Sequence, residues 1–439
     1  MSRVLLAIGP SGQRPLHRKV KGLAGKLDAR QSTKMDIDIR PCASAEEVKH
    51  AIAPIAYYFG RSAPDESLAE RLSRVLPAQR VYAAWEGGRA VGGLGAFPFQ
   101  LTVPGGRVPA AGVTIAGVLP THRRRGLLRA LMRAQLDARH ACGEPIAYLW
   151  ATEGTIYGRF GFGLASFTAE IDLARERSAF HTPFSTFGHV RLVSLGTAEE
   201  LLAPIYERVS VETPGMFARS SVWWQARRLA DPELGRRGIG DLQCAVLEHE
   251  GRPAAYALYR INPAFQRGIQ TGSVAAIEVI AASPEATRGI WRYLLDIDWM
   301  ARVKADLLPV DHPLLLLVAE PRRLDFTLRD GLWVRLVNIE TAMAARSYRD
   351  RGSVVIDVVD EFCPWNADCW RVGSDGVERS DDAPGLRCDI SALGSAYLGG
   401  FTWSQLARAL RVQELRPGAI AQADIMFQAG RAPWCPEIF

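Results

Sequence analysis

The stretch "PTHRRRGLLRALM", residues 120–132, places three arginines and a glycine directly ahead of a helix-forming run. A helix N-terminus already carries partial positive charge, and its first N–H groups have no intrahelical partner. Crowding Arg123, Arg124 and Arg125 there is unfavourable unless water screens them or an anion sits among them. Gly126 has no Cβ, so a ligand or a backbone can approach closely. Outward-pointing N–H groups and guanidinium forks together suit phosphate. The helix that follows is amphipathic: Leu127, Leu131, Ala134 and Ala138 share a stripe, while Arg129, Arg133 and Arg139 lie off it. Taken alone, the cluster is equally a solvated basic helix start, and its surroundings must separate the two readings.

Upstream, "DIDIRP" (36–41) alternates like an edge strand, and "ASAEEVKHAIAPIAYYFG" (43–60) predicts a helix opened by a capping box, Ser44 with Glu47. "RVYAAWE" and "RAVGGLGAFPFQLTV" flank Gly87-Gly88, a two-residue hairpin signal. The turn "PGG" (104–106) then leads into "RVPAAGVTIAGV" (107–118), so three strands form a meander that feeds the arginine cluster. Downstream, "PIAYLWAT" (145–152) predicts a buried strand and "EGTIYGRFGFG" (153–163) a short helix closing on glycines.

The same element order recurs further along. "LQCAVLEHEGRPAAYALYRI" (242–261) is strand, glycine turn, strand. "SVAAIEVIAASPEATRGIWRYLLDID" (273–298) is strand, proline, glycine, helix. "LLLLVAEPRRLDFTLRDGLWVRL" (314–336) is expected to supply strand, short helix and glycine. In the second copy the loop reads "PEATRG", one residue shorter and with one arginine, so phosphate-site chemistry belongs to the first copy. From about 350 the pattern changes. "SVVIDVVDEFCPWNADCWRV" is strand, turn, strand, and "ISALGSAYLGG" and "TWSQLARALRV" are helical, which predicts a smaller third α+β unit.

Bulk properties remove other classes. The chain has 439 residues, enough for roughly three domains. Its longest aliphatic run, "PLLLLVA" (313–319), falls far short of the ~20 residues of a membrane span. Seven cysteines without a CxxC pair fit a reducing compartment and no disulfide framework. HExxH, Walker and GxSxG motifs are missing. The pI of about 9.0 is not evidence for a nucleic-acid partner. Residues 1–34 hold eight Lys/Arg and one acid, and the remaining chain has 45 basic and 46 acidic residues. That segment is expected to be a flexible basic extension ahead of Met35, a transit peptide being the alternative.

The order strand, arginine loop, helix, strand and aromatic-rich short helix, with "VLPTHRRRG", resembles the acyl-CoA-binding core of the GCN5-related N-acetyltransferases (GNAT). The GNAT pattern Arg/Gln-x-x-Gly-x-Gly/Ala is met by Arg123-Arg124-Arg125-Gly126-Leu127-Leu128, with Leu128 departing from the usual small residue. "PTHRRRGLLRA", "ATEGTIYGRFGFG" and the ending "PEIF" are similar to the Eis (enhanced intracellular survival) family of aminoglycoside and lysine N-acetyltransferases, over nearly everything from Met35. The resemblance implies an α+β fold with mixed sheets. A catalytic GNAT domain (35–185) would be followed by a degenerate GNAT-like domain (186–345) and a sterol-carrier-like domain (346–439). It also implies a homohexamer.

The resemblance assigns roles residue by residue. Ala116, Gly117 and Val118 would form the strand end that meets the pantetheine arm of acetyl-CoA, with Thr152 and Glu153 near the thioester. Arg123, Arg124, Arg125, Gly126, Leu127, Leu128 and Arg129 would meet the pyrophosphate. Tyr157 would protonate the departing thiolate, and the Phe439 carboxylate would take the amine's proton. Without the resemblance, Tyr157 reads as aromatic packing and Phe439 as a loose tail, although "APWCPEIF" is stiff enough to be buried. An α-carboxylate, pKa ~3.5, is a poor base in water, and burial raises that value. Glu437 is near enough to compete for the role or to attract a cationic amine. Asp65 and Glu66, after "YYFG" (57–60), would attract polyamines or simply cap a helix.

The expected function is acetyl-CoA-dependent transfer to primary amines of small polycations such as aminoglycosides, and to lysine side chains. The expected setting is the cytoplasm, with no metal, nucleic acid or membrane partner. The alternatives are transfer of a longer acyl chain and a non-enzymatic lipid- or CoA-binding scaffold.

Overall fold

The computed structural model describes residues 37–61, 66–232 and 239–439. The basic segment 1–34 and Asp65 lie outside the described residues. The chain begins with β1 (Asp38–Pro41), α1 (Ala45–Tyr58) and α2 (Glu66–Ser73). Ser44 caps α1 by accepting from Glu47 N, while the Glu47 carboxylate turns back to Ala43 N and to both guanidinium nitrogens of Arg40. The meander follows as β2 (Val81–Glu86), β3 (Arg89–Val103) and β4 (Gly106–Val118). Gly87 and Gly88 both have positive φ, as a type I′ turn demands. Then come α3 (Leu127–Ala141), β5 (Ile146–Trp150), α4 (Gly154–Tyr157), β6 (Gly163–Leu164) and β7 (Phe167–Ala174).

These strands do not all stay in one sheet. The first sheet runs β1-β2-β3-β4-β5, then Leu332–Leu336, then β6. The second runs Thr327–Asp330, β7, Arg302–Leu308, Ser273–Ala281, Arg252–Asn262, Leu242–His249, His189–Val193. Each repeat therefore completes its sheet with a strand from the other: Leu332 pairs with Trp150 and Leu336 with Ile146, while Ala174 pairs with Arg302. Both sheets are mixed, with a parallel pair inside an otherwise antiparallel order. A third, five-stranded sheet centred on Ser353–Val359 packs with the helices Ile390–Tyr397, Trp403–Arg408 and Ala419–Met426.

One expectation is corrected. The Leu-rich run near 314 is not the strand of the second repeat. That strand is Arg302–Leu308, and Leu314–Leu317 makes a single helical turn after Pro313, with Leu314 buried and Leu316 87% exposed. A short all-apolar run carries no periodicity to separate strand from helix. The less apolar "RVKADLL" alternates well enough to bury one side.

The first sheet is covered on both faces, which is what positions the site. α1 lies over one face with an aromatic cluster that includes Phe97, Phe99, Phe217, Trp223 and Phe439. α3 lies over the other, setting Leu127, Leu131 and Leu136 against Ala84, Leu94 and Ala147. Gly117 is small because α1 crosses it: a Cβ there would stand 2.8 Å from Ile55 Cβ.

Candidate active site

β4 and β5 are parallel neighbours for only three residue pairs, Ala110 with Ile146, Ala111 with Ala147 and Gly112 with Tyr148. Beyond Gly112 they part. The cause lies on the other edge of β4, where Gly93 faces Gly117 but Gly95 faces Thr114, so β4 carries an extra residue. The bulge puts Ile115 at φ +49°, a left-handed conformation that a β-branched residue rarely adopts. The strand bends, and a wedge opens in the sheet with backbone groups on its rims that lack a ladder partner. Ala116, Gly117 and Val118 line one rim, and Thr152 and Glu153 follow the end of the other. The Val118 carbonyl is already taken, since Tyr58 Oη donates to it at 2.7 Å.

The arginine loop sits at the mouth of the wedge. Arg124 has φ +62° and Gly126 φ +80°, and α3 starts at Leu127 with no side-chain cap. Ala130 N is the first to find a helical acceptor, Gly126 O. Among the described residues the N–H groups from Arg124 to Arg129 donate to no acceptor. The three arginines are not equivalent. Arg123 Nε donates to Tyr58 Oη at 2.7 Å, and its guanidinium lies over the Tyr58 ring. Arg125 pairs with Glu86 at 3.0 Å, beside His122 at 2.7 Å, and these two partners, His122 foremost, hold the Glu86 carboxyl below its usual range. Arg124 is exposed and makes no ion pair among the described residues. Arg129 turns to Phe362, with its guanidinium 5.0 Å from the ring centre. The corresponding helix of the second repeat, Pro284–Asp296, differs in kind, because Ser283 accepts from Ala286 N and closes its N-terminus.

Tyr157 and Phe439 approach the wedge from opposite faces. Tyr157 ends α4 on the α3 face, 6% exposed. Burial raises its phenol above the ordinary value; the hydrogen bond with Thr152 opposes that rise, and Glu153 adds to it. Phe439 belongs to the α1 face, also buried. Its ring packs 4.9 Å from Tyr148, 5.1 Å from Phe99 and 5.9 Å from Phe217. Gly112 makes room for it: a Cβ at 112 would stand 3.1 Å from the Phe439 ring and 2.3 Å from that of Phe99. The chain therefore terminates against the last paired residues of β4 and β5, where the wedge begins. Tyr157 and the Phe439 ring thus belong to the two opposite faces of the first sheet.

The tail is clamped in place. Trp150 Nε1 donates to Glu437 O at 3.0 Å, and Trp434 N to Pro214 O at 2.8 Å. The Glu437 carboxylate accepts from Trp223 Nε1 at 3.0 Å and pairs with Arg219 at 2.8 Å. The Arg219 side chain, fully buried, also grips Glu278 through both terminal nitrogens at 2.9 and 2.6 Å and lies 3.9 Å from the Tyr206 ring centre. Burial raises the pKa of Glu278, but Arg219 and Arg228 outweigh that and hold it at about 2. Glu437 is therefore a fastening, not a free carboxylate, which corrects the expectation that it competes as base or attracts a cation. Glu66 is likewise occupied, by Lys49 at 3.1 Å.

Sequence reasoning did not single out Tyr58 as an individual residue, nor Glu86, Gly112, Arg219 and Trp223. Tyr58 and Glu86 carried no motif. Arg219 lies in the loop between the helices Leu195–Ser210 and Ser221–Trp223 of the second repeat, and only the fold brings it to the tail. Gly112 gave no separate signal, being one of several small residues in "GRVPAAGVTIAGV".

Residues 38–165 match the model of an acetyltransferase (GNAT) domain, 215–336 a second acetyltransferase (GNAT) domain model, and 339–436 a sterol carrier protein domain. A protein of Streptomyces coelicolor described as an uncharacterized N-acetyltransferase is 42% identical over 398 residues, covering 88% of this chain and 95% of that one. N-acetyltransferase Eis of Mycobacterium tuberculosis is 36% identical over 357 residues, covering 78% and 84%. The crystal structure of Eis1 from Mycobacterium abscessus superposes with a TM-score of 0.78 at 36% identity, over 92% of this chain and all of that one. With two GNAT units, a sterol-carrier-like unit and these relatives, the chain is a member of the Eis family of GNAT N-acetyltransferases.

Proposed function

We propose that the chain transfers the acetyl group of acetyl-CoA to a primary amine by direct attack in a ternary complex. The observation that carries this reading is the wedge between β4 and β5, with an uncapped arginine-bearing helix N-terminus at its mouth and Tyr157 and the Phe439 terminus on its two faces. The pyrophosphate takes the N–H groups of residues 124–129 and the free guanidinium of Arg124. Arg123 acts through Tyr58, and Arg125 is shared with Glu86. The pantetheine arm lies along Ala116–Val118 as an added strand.

The neutral amine attacks the thioester carbon from the α1 face, and its surplus proton passes to the Phe439 carboxylate. Collapse of the tetrahedral intermediate breaks the C–S bond, and the leaving thiolate takes the Tyr157 proton, which solvent then replaces. A phenol kept neutral by burial holds that proton through the working pH range. Orientation of the two reactants supplies much of the rate. The packing of Phe97, Phe99, Tyr148, Phe217 and Phe439 on this face supports a short acyl group over the longer-chain alternative. Lysine side chains and small amines both satisfy this chemistry. The same family relation makes a homohexamer the proposed assembly.

Release of free thiol from acetyl-CoA in the presence of a panel of small amines tests the reading. Amine-dependent release with acetylated amine as co-product is expected. Release of thiol without acetylated amine, or none with any amine, would overturn it.

A further inference from the structure

A cavity of about 370 Å³ opens beside the tail, bounded by Pro436, Glu437 and Ile438 on one side and by Arg61, Leu68 and Arg71 on another. Arg227 and Arg228 line it from the second repeat. Since residues 436–438 run straight into Phe439, the cavity ends about one residue, ~3.5 Å of chain, from the terminal carboxylate. It is large enough for a small molecule and not for a folded partner.

Among the described residues its charge is the opposite of what a polycation needs. Glu437 and Glu278 are both spent on Arg219, and Arg228 Nε adds a contact to Glu278 at 3.3 Å. Among the described residues Arg61, Arg71 and Arg227 pair with no carboxylate. Arg71 reaches only Ser67 Oγ at 3.2 Å, and Arg227 lies over the Trp223 ring at 5.6 Å. Arg228 Nη2 is buried without a hydrogen-bond partner. Burial disfavours the charged form of Arg227; Glu437 counters this, and Arg71 and Arg228 add to it. Glu437 is the one acid among the described lining residues, and it is already paired with Arg219. Guanidinium groups gathered there without a further acid among the described residues suit an oxyanion, the partner that fits a planar fork.

We propose that the acceptor is an amine that also carries an oxyanion, a carboxylate or a phosphate, held by Arg227 with Arg71 and Arg228 while its amino group reaches past Ile438 to the wedge. This rests on the acetyl-transfer reading and names its substrate class. The charge also serves the chemistry. A positive surround favours the neutral form of a nearby amine, which is the nucleophile. An anion bound several bonds away orients the chain without touching the reacting nitrogen. The polycationic acceptors expected from the resemblance would meet like charge here.

The test compares four acceptors of one chain length: an alkylamine, an α,ω-diamine, an ω-amino carboxylate and an aminoalkyl phosphate. For the wild-type protein, kcat/KM for one of the two anionic acceptors should exceed that for the alkylamine and the diamine at least tenfold, and which of them leads identifies the oxyanion. In Arg227→Gln the ratio of anionic to neutral acceptor should fall toward one, and in Arg71→Gln it should fall part of the way. Thermal melts of both variants check folding. A diamine preferred by the wild type, or a ratio unchanged in both folded variants, overturns the proposal. If no acceptor is acetylated, the transfer reading fails separately, and calorimetry with the N-acetyl ω-amino carboxylate and acetylaminoalkyl phosphate still decides the site. Binding weakened tenfold or more by Arg227→Gln upholds it, and no binding to the wild type refutes it.

Discussion

Replacing Gly112 by alanine adds one methyl group at the point where β4 and β5 separate. That methyl would stand 2.3 Å from the Phe99 ring and 3.1 Å from the Phe439 ring, where ordinary contact begins near 3.4 Å. Phe99 has little room to retreat, being stacked 4.1 Å from Phe217 and set 4.9 Å from Trp223. The Phe99 ring can yield mainly by pushing on Phe439, whose ring centre lies 5.1 Å away. The strain should therefore be relieved by displacing the terminus. Overpacking of this kind costs roughly 1–3 kcal/mol. A shift of about 1 Å in a reacting group is enough to lower turnover on the order of a hundredfold. Gly112→Ala should accordingly lose a modest amount of stability and most of its kcat, while acetyl-CoA affinity, set at the far mouth of the wedge, stays near the wild-type value. Steady-state kinetics, a thermal melt and calorimetry with CoA measure the three quantities. A folded variant with wild-type kcat would refute the reasoning that the buried terminus takes part in turnover.

Other expectations follow from the same geometry. Arg124→Ala should raise the KM for acetyl-CoA roughly ten- to a hundredfold, the effect of one charge-assisted bond of ~1.5–3 kcal/mol, with little change in amine KM; an unchanged donor KM would sink the phosphate role. Tyr157→Phe should keep CoA binding but lower kcat, and in the wild type the alkaline limb due to this phenol should lie above pH ~10, since burial raises its pKa. Wild-type turnover by Tyr157→Phe would make the residue packing alone. Glu278 has its folded pKa depressed to about 2 against ~4.3 unfolded. Its contribution is thus present above pH ~4.3 and fades as pH falls toward 2. Glu278→Gln, which leaves Arg219 buried with one fewer charge partner, should cost roughly 3–5 kcal/mol near neutrality. The deficit against wild type should shrink in urea titrations run from pH 6 to pH 3, and a deficit independent of pH would contradict the assignment.

Local signals carried much of the fold. The Gly87-Gly88 hairpin, the meander and the arginine loop are set by neighbouring residues and formed as their patterns predict, while the capping box at Ser44 is half formed: Ser44 accepts from Glu47 N, but the Glu47 carboxylate accepts from Ala43 N in place of Ser44 N. Long-range pairing was not legible. Nothing in "FTAEIDLA" or "LWVRL" says that these strands cross into each other's sheet, because a strand's apolar alternation names a face and not a partner. The site divides the same way. The helix-mouth chemistry of Arg123–Gly126 is local and readable. The separation of roles among the three arginines depends on Tyr58 and Glu86, which lie 65 and 39 residues away from their partners. The fastening of Glu437 by Arg219, 218 residues upstream, lay beyond any sequence pattern.

The central claim, that the terminal carboxylate of Phe439 accepts the amine's proton, can be tested without altering any side chain. Two glycines added after Phe439 turn its carboxylate into a neutral peptide carbonyl and carry the charge away from the wedge. The measurement is kcat at saturating acetyl-CoA and amine for the extended and native chains, with CoA affinity and melting temperature as controls. The account predicts a fall of roughly 10²–10⁴-fold, the usual worth of a general base, with both controls near native. Full activity in the extended chain would contradict it.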